Sequence, residues 1–206
     1  MKDNFYGFIA RHPFWVILVC LAFAVTAATG AQKLVFEGDY RVFFSDENPQ
    51  LVAFESMQKV YSKSDNVSFV VVPKNGEVFT AEHLGALKEL TKASWQVPYS
   101  TRVDSVTNFQ YTYAEEDDMI VEDLVMSAER LTAIQLDKIK QVALNEPLLV
   151  NKIISDTGHV SIVNVTVQLP GIDSTAETPE VAASVRAIQA DFLAKHPDIE
   201  VYLSGM

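Results

Sequence analysis

VSFVVVP fills Val67–Pro73 and VSIVNVTVQLP fills Val160–Pro170, and the fold turns on reading these two runs together. VSFVVV is apolar and β-branched almost throughout, without alternation, which predicts a strand buried on both faces. Each run is followed by a loop and a helix start, Thr80-Ala81-Glu82 in the first copy and Thr178-Pro179-Glu180 in the second. Threonine serves as an N-cap, and an acid in the first turn suits the helix dipole. Leu84, Leu87, Leu90 and Thr91 share a face of the first helix, and Val181, Val185, Ile188 and Phe192 a face of the second. Each helix then meets a proline, Pro98 or Pro197, and a further strand, Arg102–Phe109 or Ile199–Leu203. The copies lie 97, 98 and 99 residues apart at the first proline, the threonine and the second proline, a drift of two residues (99 minus 97).

The order is therefore βαβ, an insert over about 110–156, and βαβ. Two such units sharing one sheet make an α+β, ferredoxin-like split βαβ domain with right-handed crossovers. Each helix has one apolar stripe, so both are expected on one sheet face, leaving the other for a partner domain or subunit. The insert is expected to be helical: Ser127–Val142 with Leu131, Ile134, Ile139 and Val142 inward, ended by Asn145-Glu146-Pro147. Ser155-Asp156-Thr157-Gly158 reads as a turn into the next strand.

Upstream, Pro13–Gln32 (PFWVILVCLAFAVTAATGAQ) holds 20 residues with no charge. As a helix it rises about 30 Å, the thickness of a bilayer core. Phe14 and Trp15 stand where interfacial aromatics belong. Lys2 and Arg11 against Asp3 favour a cytoplasmic tail over residues 1–12. A cleaved signal peptide is the rival, with Ala28-Thr29-Gly30 as its cleavage site, but a signal h-region is shorter than this span. A membrane anchor over 13–32 is the reading adopted; both place the remainder outside the cytoplasm. Residues 33–65 form a linker and an amphipathic helix. Asn48 caps it, Pro49 opens it, Leu51, Phe54, Met57 and Tyr61 make its apolar stripe, and Asp65-Asn66 ends it. The domain proper spans 66–206.

Composition narrows function. Hydrophobic residues make up 49 % and the net charge is −11 (16 basic against 27 acidic residues), which argues against nucleic acid as a partner. Cys20, inside the apolar stretch, is the sole cysteine, so no intrachain disulfide is available. His12, His83, His159 and His196 lack metal-ligand spacing. Glu115-Glu116-Asp117-Asp118 with Glu122 and Asp123 has no EF-hand spacing and reads as a solvated loop or helix start rather than a calcium site. The sequons Asn66-Val67-Ser68 and Asn164-Val165-Thr166 read as structural. There is no nucleophile elbow, phosphate loop or zinc motif, so neither an enzyme nor a cofactor is expected. No catalytic, metal or cofactor-binding residue is assigned and the substrate-binding residues stay unknown. Phe109, Tyr111, Tyr113 and Met119 are candidates to line a hydrophobic path, against a core role for aromatics near a strand end.

The passage DYRVFFSDENPQLVAFE (Asp39–Glu55), then Tyr61 and DNVSFVVVP (Asp65–Pro73), resembles the RND-superfamily exporters of the MMPL type, where such a passage follows the first membrane helix. MIVEDLV (Met119–Val125), NEPLLVNKIISDTGHVSIVNVTVQLP (Asn145–Pro170) and YLSGM (Tyr202–Met206) are similar to later segments of the same porter loop. The resemblance covers nearly the whole chain, and its strength lies in the order and spacing of motifs. It implies an N-terminal portion of a proton-driven exporter of lipids or other hydrophobic or amphiphilic molecules in the bacterial inner membrane, with residues after about 33 periplasmic. The implied partners are the bilayer, the remaining membrane helices and second porter half, the substrate, and further copies in an oligomer. The chain is expected to be a fragment that stops before the second membrane helix, and no proton-relay residue falls within it. A membrane-anchored sensor or ligand-binding ectodomain is the alternative.

Overall fold

The computed structural model describes residues 11–31, 43–45, 47–60, 65–116, 118–172 and 174–205. The tail before Arg11, Gln32, Lys33, the exit at Asp39–Val42, Tyr61, Asp117 and Met206, all used in the sequence reading, lie outside the described residues. The chain divides into two units, Met1–Val52 and Ala53–Met206.

In the first unit, helix α1 (Pro13–Ala31) carries no charged residue. Pro13–Gly30 is long and apolar enough to cross a membrane, and none of its residues is buried. Its hydroxyls are satisfied internally: Thr26 Oγ1 donates to the Ala22 carbonyl and Thr29 Oγ1 to that of Thr26, each at 2.7 Å. A bilayer core, which offers no water to a hydroxyl, favours this back-bonding. Helix α2 (Pro49–Val60) crosses the division between the units. Asn48 Oδ1 accepts from the Gln50 amide at 2.9 Å, and Pro49, with no amide to satisfy, takes the first helical position. Of the expected apolar stripe Leu51 is buried, whereas Phe54 and Met57 are 40 % and 50 % exposed.

In the second unit, strands β1 (Asp65–Pro73), β2 (Ser100–Asp104), β5 (Ser161–Val167) and β6 (Ile199–Gly205) form an antiparallel sheet in the order β2-β5-β1-β6. Helix α3 (Ala81–Ser94) connects β1 to β2, and helix α5 (Ser174–Lys195) connects β5 to β6. Each βαβ unit thus places its two strands parallel with a strand of the other unit between them. Val67, Phe69 and Val71 of β1, Val163, Val165 and Val167 of β5, and Ile199 and Val201 of β6 point to one face. Leu84, Leu87 and Leu90 of α3 and Val181, Val185 and Phe192 of α5 join them in a single core. The two helices pack on each other and on that face, as one apolar stripe per helix requires.

Several expectations are corrected. Burial in β1 alternates: Ser68, Val70 and Val72 are half-buried on the second face, so the strand is enclosed on one side only. Their β-branched neighbours shade that face without covering it. Asp65 and Asn66 open β1 rather than ending a helix. The second strand stops at Asp104, not Phe109, because the next residues turn on their own side chains. Asn108 Oδ1 accepts from the Ser105 amide at 2.8 Å and Asn108 Nδ2 donates to the Val103 carbonyl at 2.7 Å. The insert is not wholly helical; it opens with a hairpin, β3 (Gln110–Glu115) and β4 (Asp118–Asp123).

The insert helix also starts later than expected. A short 3-10 turn at Ala128–Arg130 precedes α4 (Ala133–Asn145). Thr132 and Gln135 form a capping box, the Thr132 amide donating to Gln135 Oε1 at 2.9 Å. That start turns Ile134 outward, 83 % exposed, and puts Ile139 and Ala143 inside. Helix α5 begins at Ser174 rather than Thr178, which leaves Pro179 within the helix and forfeits one backbone hydrogen bond. In return Glu177 accepts from the Gly171 and Ile172 amides, both at 2.9 Å, and ties the preceding loop to the helix start.

Candidate functional site

Two surfaces of the second unit combine apolar and polar chemistry without being closed by any of the described residues: a groove beside the β3–β4 hairpin and the open face of the sheet. The groove follows from hairpin register. Tyr111 pairs with Glu122 and Tyr113 with Ile120, and cross-strand partners share a face. The two tyrosine rings stack at 5.4 Å. Across from them, α4 brings Lys138 Nζ to 5.1 Å from the centre of the Tyr113 ring, within cation–π range. Between hairpin, following segment and helix lies a cavity of about 230 Å³. Leu124, Leu131, Ile139 and Val142 supply its apolar lining, and Arg130 and Lys138 its cations.

The acids that also line it are engaged. Glu122 Oε1 accepts from the Tyr113 hydroxyl at 3.1 Å, and Asp123 Oδ1 from Gln110 Nε2. The bond to Glu122, followed by partial desolvation, pushes the Tyr113 hydroxyl above its ordinary value of 10.0. It stays a protonated donor at neutral pH. Arg130 and Lys138 make no ion pair with any carboxylate among the described residues. Lys88 and Lys92 beside α3 likewise make no ion pair among the described residues, so what distinguishes this groove is that its cations border an apolar lining.

The open sheet face is ordered in rows by the register. Asp104, Asn164, Ser68 and Ser204 form one row across the four strands, and Ile162, Val70 and Tyr202 the next. The first row is linked: Ser68 Oγ donates to Asn164 Oδ1 at 2.9 Å, and Arg102 Nε, one position along, reaches Asp104 at 2.8 Å. The second row is apolar apart from the Tyr202 hydroxyl, which donates to Glu200 at 2.7 Å. Both sequons fall on these strands, and Ser68 of one bonds Asn164 of the other, in keeping with a structural role.

Of the four candidate path residues, Tyr111 lines the groove and Tyr113 flanks it. Phe109 is half-buried against the core. Met119 pairs with Ala114 on the opposite hairpin face and is 78 % exposed. The groove residues that sequence reasoning passed over, Arg130 and Lys138, carry no local motif; the hairpin and helix that bring them to Tyr113 had to be located first. The acidic run lies at the hairpin tip, where Glu115 and Asp118 face each other across the strands.

The histidines have structural partners. His83 is buried, with Nδ1 2.5 Å from the Glu77 carbonyl oxygen and Nε2 3.0 Å from Asp198 Oδ2. His196 meets Glu89 at 3.1 Å and tilts against Phe192. His159 engages Ser155 and Thr157. Among the described residues no group of three or more His, Cys, Asp or Glu is placed to hold a metal ion. No protein-family model matches the chain, and no curated protein matches it.

Proposed function

We propose that the second unit is a ferredoxin-like porter domain, carried on α1 as a membrane anchor, of an RND-type exporter of the MMPL kind for hydrophobic or amphiphilic molecules. The observation that carries the reading is the strand order β2-β5-β1-β6 with α3 and α5 on one face. That interleaving supports the reading as a split βαβ domain and agrees with the fold that the motif resemblance implies. A second feature supports it. Val67 near the start of β1 pairs with Gly205 at the end of β6, so the first and last strands of the sheet are neighbours, an arrangement that would suit a domain inserted between two membrane segments.

On this reading the N-terminal tail is cytoplasmic, the domain lies on the periplasmic side of a bacterial inner membrane, and the domain binds and passes cargo rather than transforming it. The open sheet face is then the surface for the other porter pieces. The gene itself supplies the test. Reading on past the codon for Met206 is expected to reveal five apolar helices, one of them bearing acids; a stop codon there removes the exporter reading and leaves an anchored ectodomain. In the full-length protein, collapse of the proton gradient is expected to abolish export, and export that continues unchanged refutes the proton-driven mechanism.

A further inference from the structure

We infer that the groove between the β3–β4 hairpin and α4 is a subsite for the acidic head and first carbons of an anionic amphiphile: a carboxylate or phosphate monoester on an alkyl chain. The polar half of the argument is charge matching. Arg130 and Lys138 reach the groove from either side of the Thr132 cap, and neither has a carboxylate partner among the described residues. Glu122 and Asp123, the groove's own acids, already accept from Tyr113 and Gln110. A ligand carboxylate or phosphate would give both cations a charge-assisted partner, with the flat Arg130 guanidinium able to bind two oxygens at once. Lys138, held over the Tyr113 ring at 5.1 Å, has only to turn from the ring toward the ligand.

The apolar half is the lining by Leu124, Leu131, Ile139 and Val142, which has no use for a free inorganic ion. At about 230 Å³ the cavity falls short of the roughly 300–1,000 Å³ that encloses a drug-sized ligand. It takes a head and the start of a chain, and the rest of the chain leaves along the surface.

This gives a cargo chemistry to the export reading and rests on it for its biological meaning, though the subsite stands on its own geometry. The test is titration calorimetry of the whole chain in nanodiscs with octyl phosphate and octanoate below their micellar concentrations, corrected against empty nanodiscs. The comparison arms are inorganic phosphate and octyltrimethylammonium. Saturable binding of both acidic octyl probes is expected. In the double variant Arg130→Gln, Lys138→Gln it should weaken about tenfold or more, the scale of one lost charge-assisted hydrogen bond. Both positions are exposed, so an unchanged melting temperature will show the double variant to be folded. Undiminished binding by that variant overturns the subsite. So does inorganic phosphate binding as tightly as octyl phosphate, or the ammonium probe binding more tightly. Binding without gradient-driven export would leave the subsite and remove the exporter; export without binding would do the reverse.

Discussion

Gly205 lies so close to Asn66 that a Cβ built on it would sit 2.1 Å from the Asn66 carbonyl oxygen and 3.1 Å from the Val67 Cα. Its φ of +108° is also one that side chains disfavour. Here the last strand of the sheet closes on the first, and the contact is backbone against backbone, with no flexible side chain to give way. Gly205→Ala is therefore expected to destabilise the domain by about 2 kcal/mol or more, through clash and strain together. Gly76→Ala is the control: φ is +70° but a Cβ there meets nothing within 4 Å, so only strain of about 1 kcal/mol is expected. Equal losses in urea melts of the two variants would contradict the close approach.

Asp198 and His83 join the loop before β6 to the start of α3. Burial pushes the Asp198 carboxyl up, but the His83 bond and its own backbone amide outweigh it and hold the group below its ordinary 3.8. A carboxyl depressed on folding contributes stability that is complete above the unfolded value and is lost as pH falls through the folded one. The contribution should thus be full above about pH 5 and be lost progressively as pH falls below about 4. Glu89, lowered by its bonds to Lys195 and His196, adds in the same window. Urea midpoints measured from pH 6 to pH 3 should fall less steeply for Asp198→Asn than for the parent. Parallel slopes would show that Asp198 does not titrate in this way.

The elements that were legible in the sequence are those whose signal is local. Thr80 caps α3 at His83 as expected, and the 3.6-residue stripe of Leu84, Leu87 and Leu90 is buried as spaced. The near-repeat placed both βαβ units because β-branched runs and capping threonines carry their own physics. What was missed depends on distant partners or on rival local signals. VSFVVV does not alternate in composition yet alternates in burial, since what covers each face is set by α3 and α5 and not by the strand. The capping box at Thr132 and Gln135 was present to be read and overrides the apolar spacing that put Ile134 inside. His83 was set aside for want of a neighbour because Asp198 lies 115 residues away. The groove needed both β3–β4 and α4 to be placed before Arg130 and Lys138 came together.

Thr91 caps a ring of three buried hydroxyls. Its Oγ1 donates to the Leu87 carbonyl at 2.7 Å and lies 2.9 Å from Ser105 Oγ and 3.2 Å from Thr107 Oγ1. Thr91→Val keeps the shape and strips the ring of one member, while Ser105 Oγ keeps Thr107 Oγ1 at 2.8 Å and Asn108 Oδ1 at 3.0 Å. A loss of about 0.5–1.5 kcal/mol, the net worth of one hydrogen bond, is expected. A chemical-denaturation midpoint within experimental error of the parent would show that the remaining pair satisfies itself.

Glu115 stands directly opposite Asp118 at the hairpin tip, and like charges across a strand pair repel. Glu115→Lys replaces the repulsion with an attraction. Slower amide exchange through β3 and β4 is expected, equivalent to about 0.2–1 kcal/mol, and the gain should shrink in 1 M salt, where the Debye length is about 3 Å. Exchange no slower than in the parent would show that the tip charges are already screened.

Neighbouring valines of β1 provide the sharpest check on a sheet closed on one face only. Val71 is 1 % exposed against α3 and α5, whereas Val70 is half-buried on the open face beside Ile162 and Tyr202. Threonine matches valine in shape, so the exchange isolates the cost of a hydroxyl. At Val71 that hydroxyl enters the core, and a loss of about 1–3 kcal/mol is expected. At Val70 it reaches water at the sheet surface, and the effect should stay within about 0.5 kcal/mol. If Val70→Thr costs as much as Val71→Thr in the isolated chain, the second face is closed after all. A partner that covers that face, as the porter reading requires, would raise the Val70 cost only when it is present.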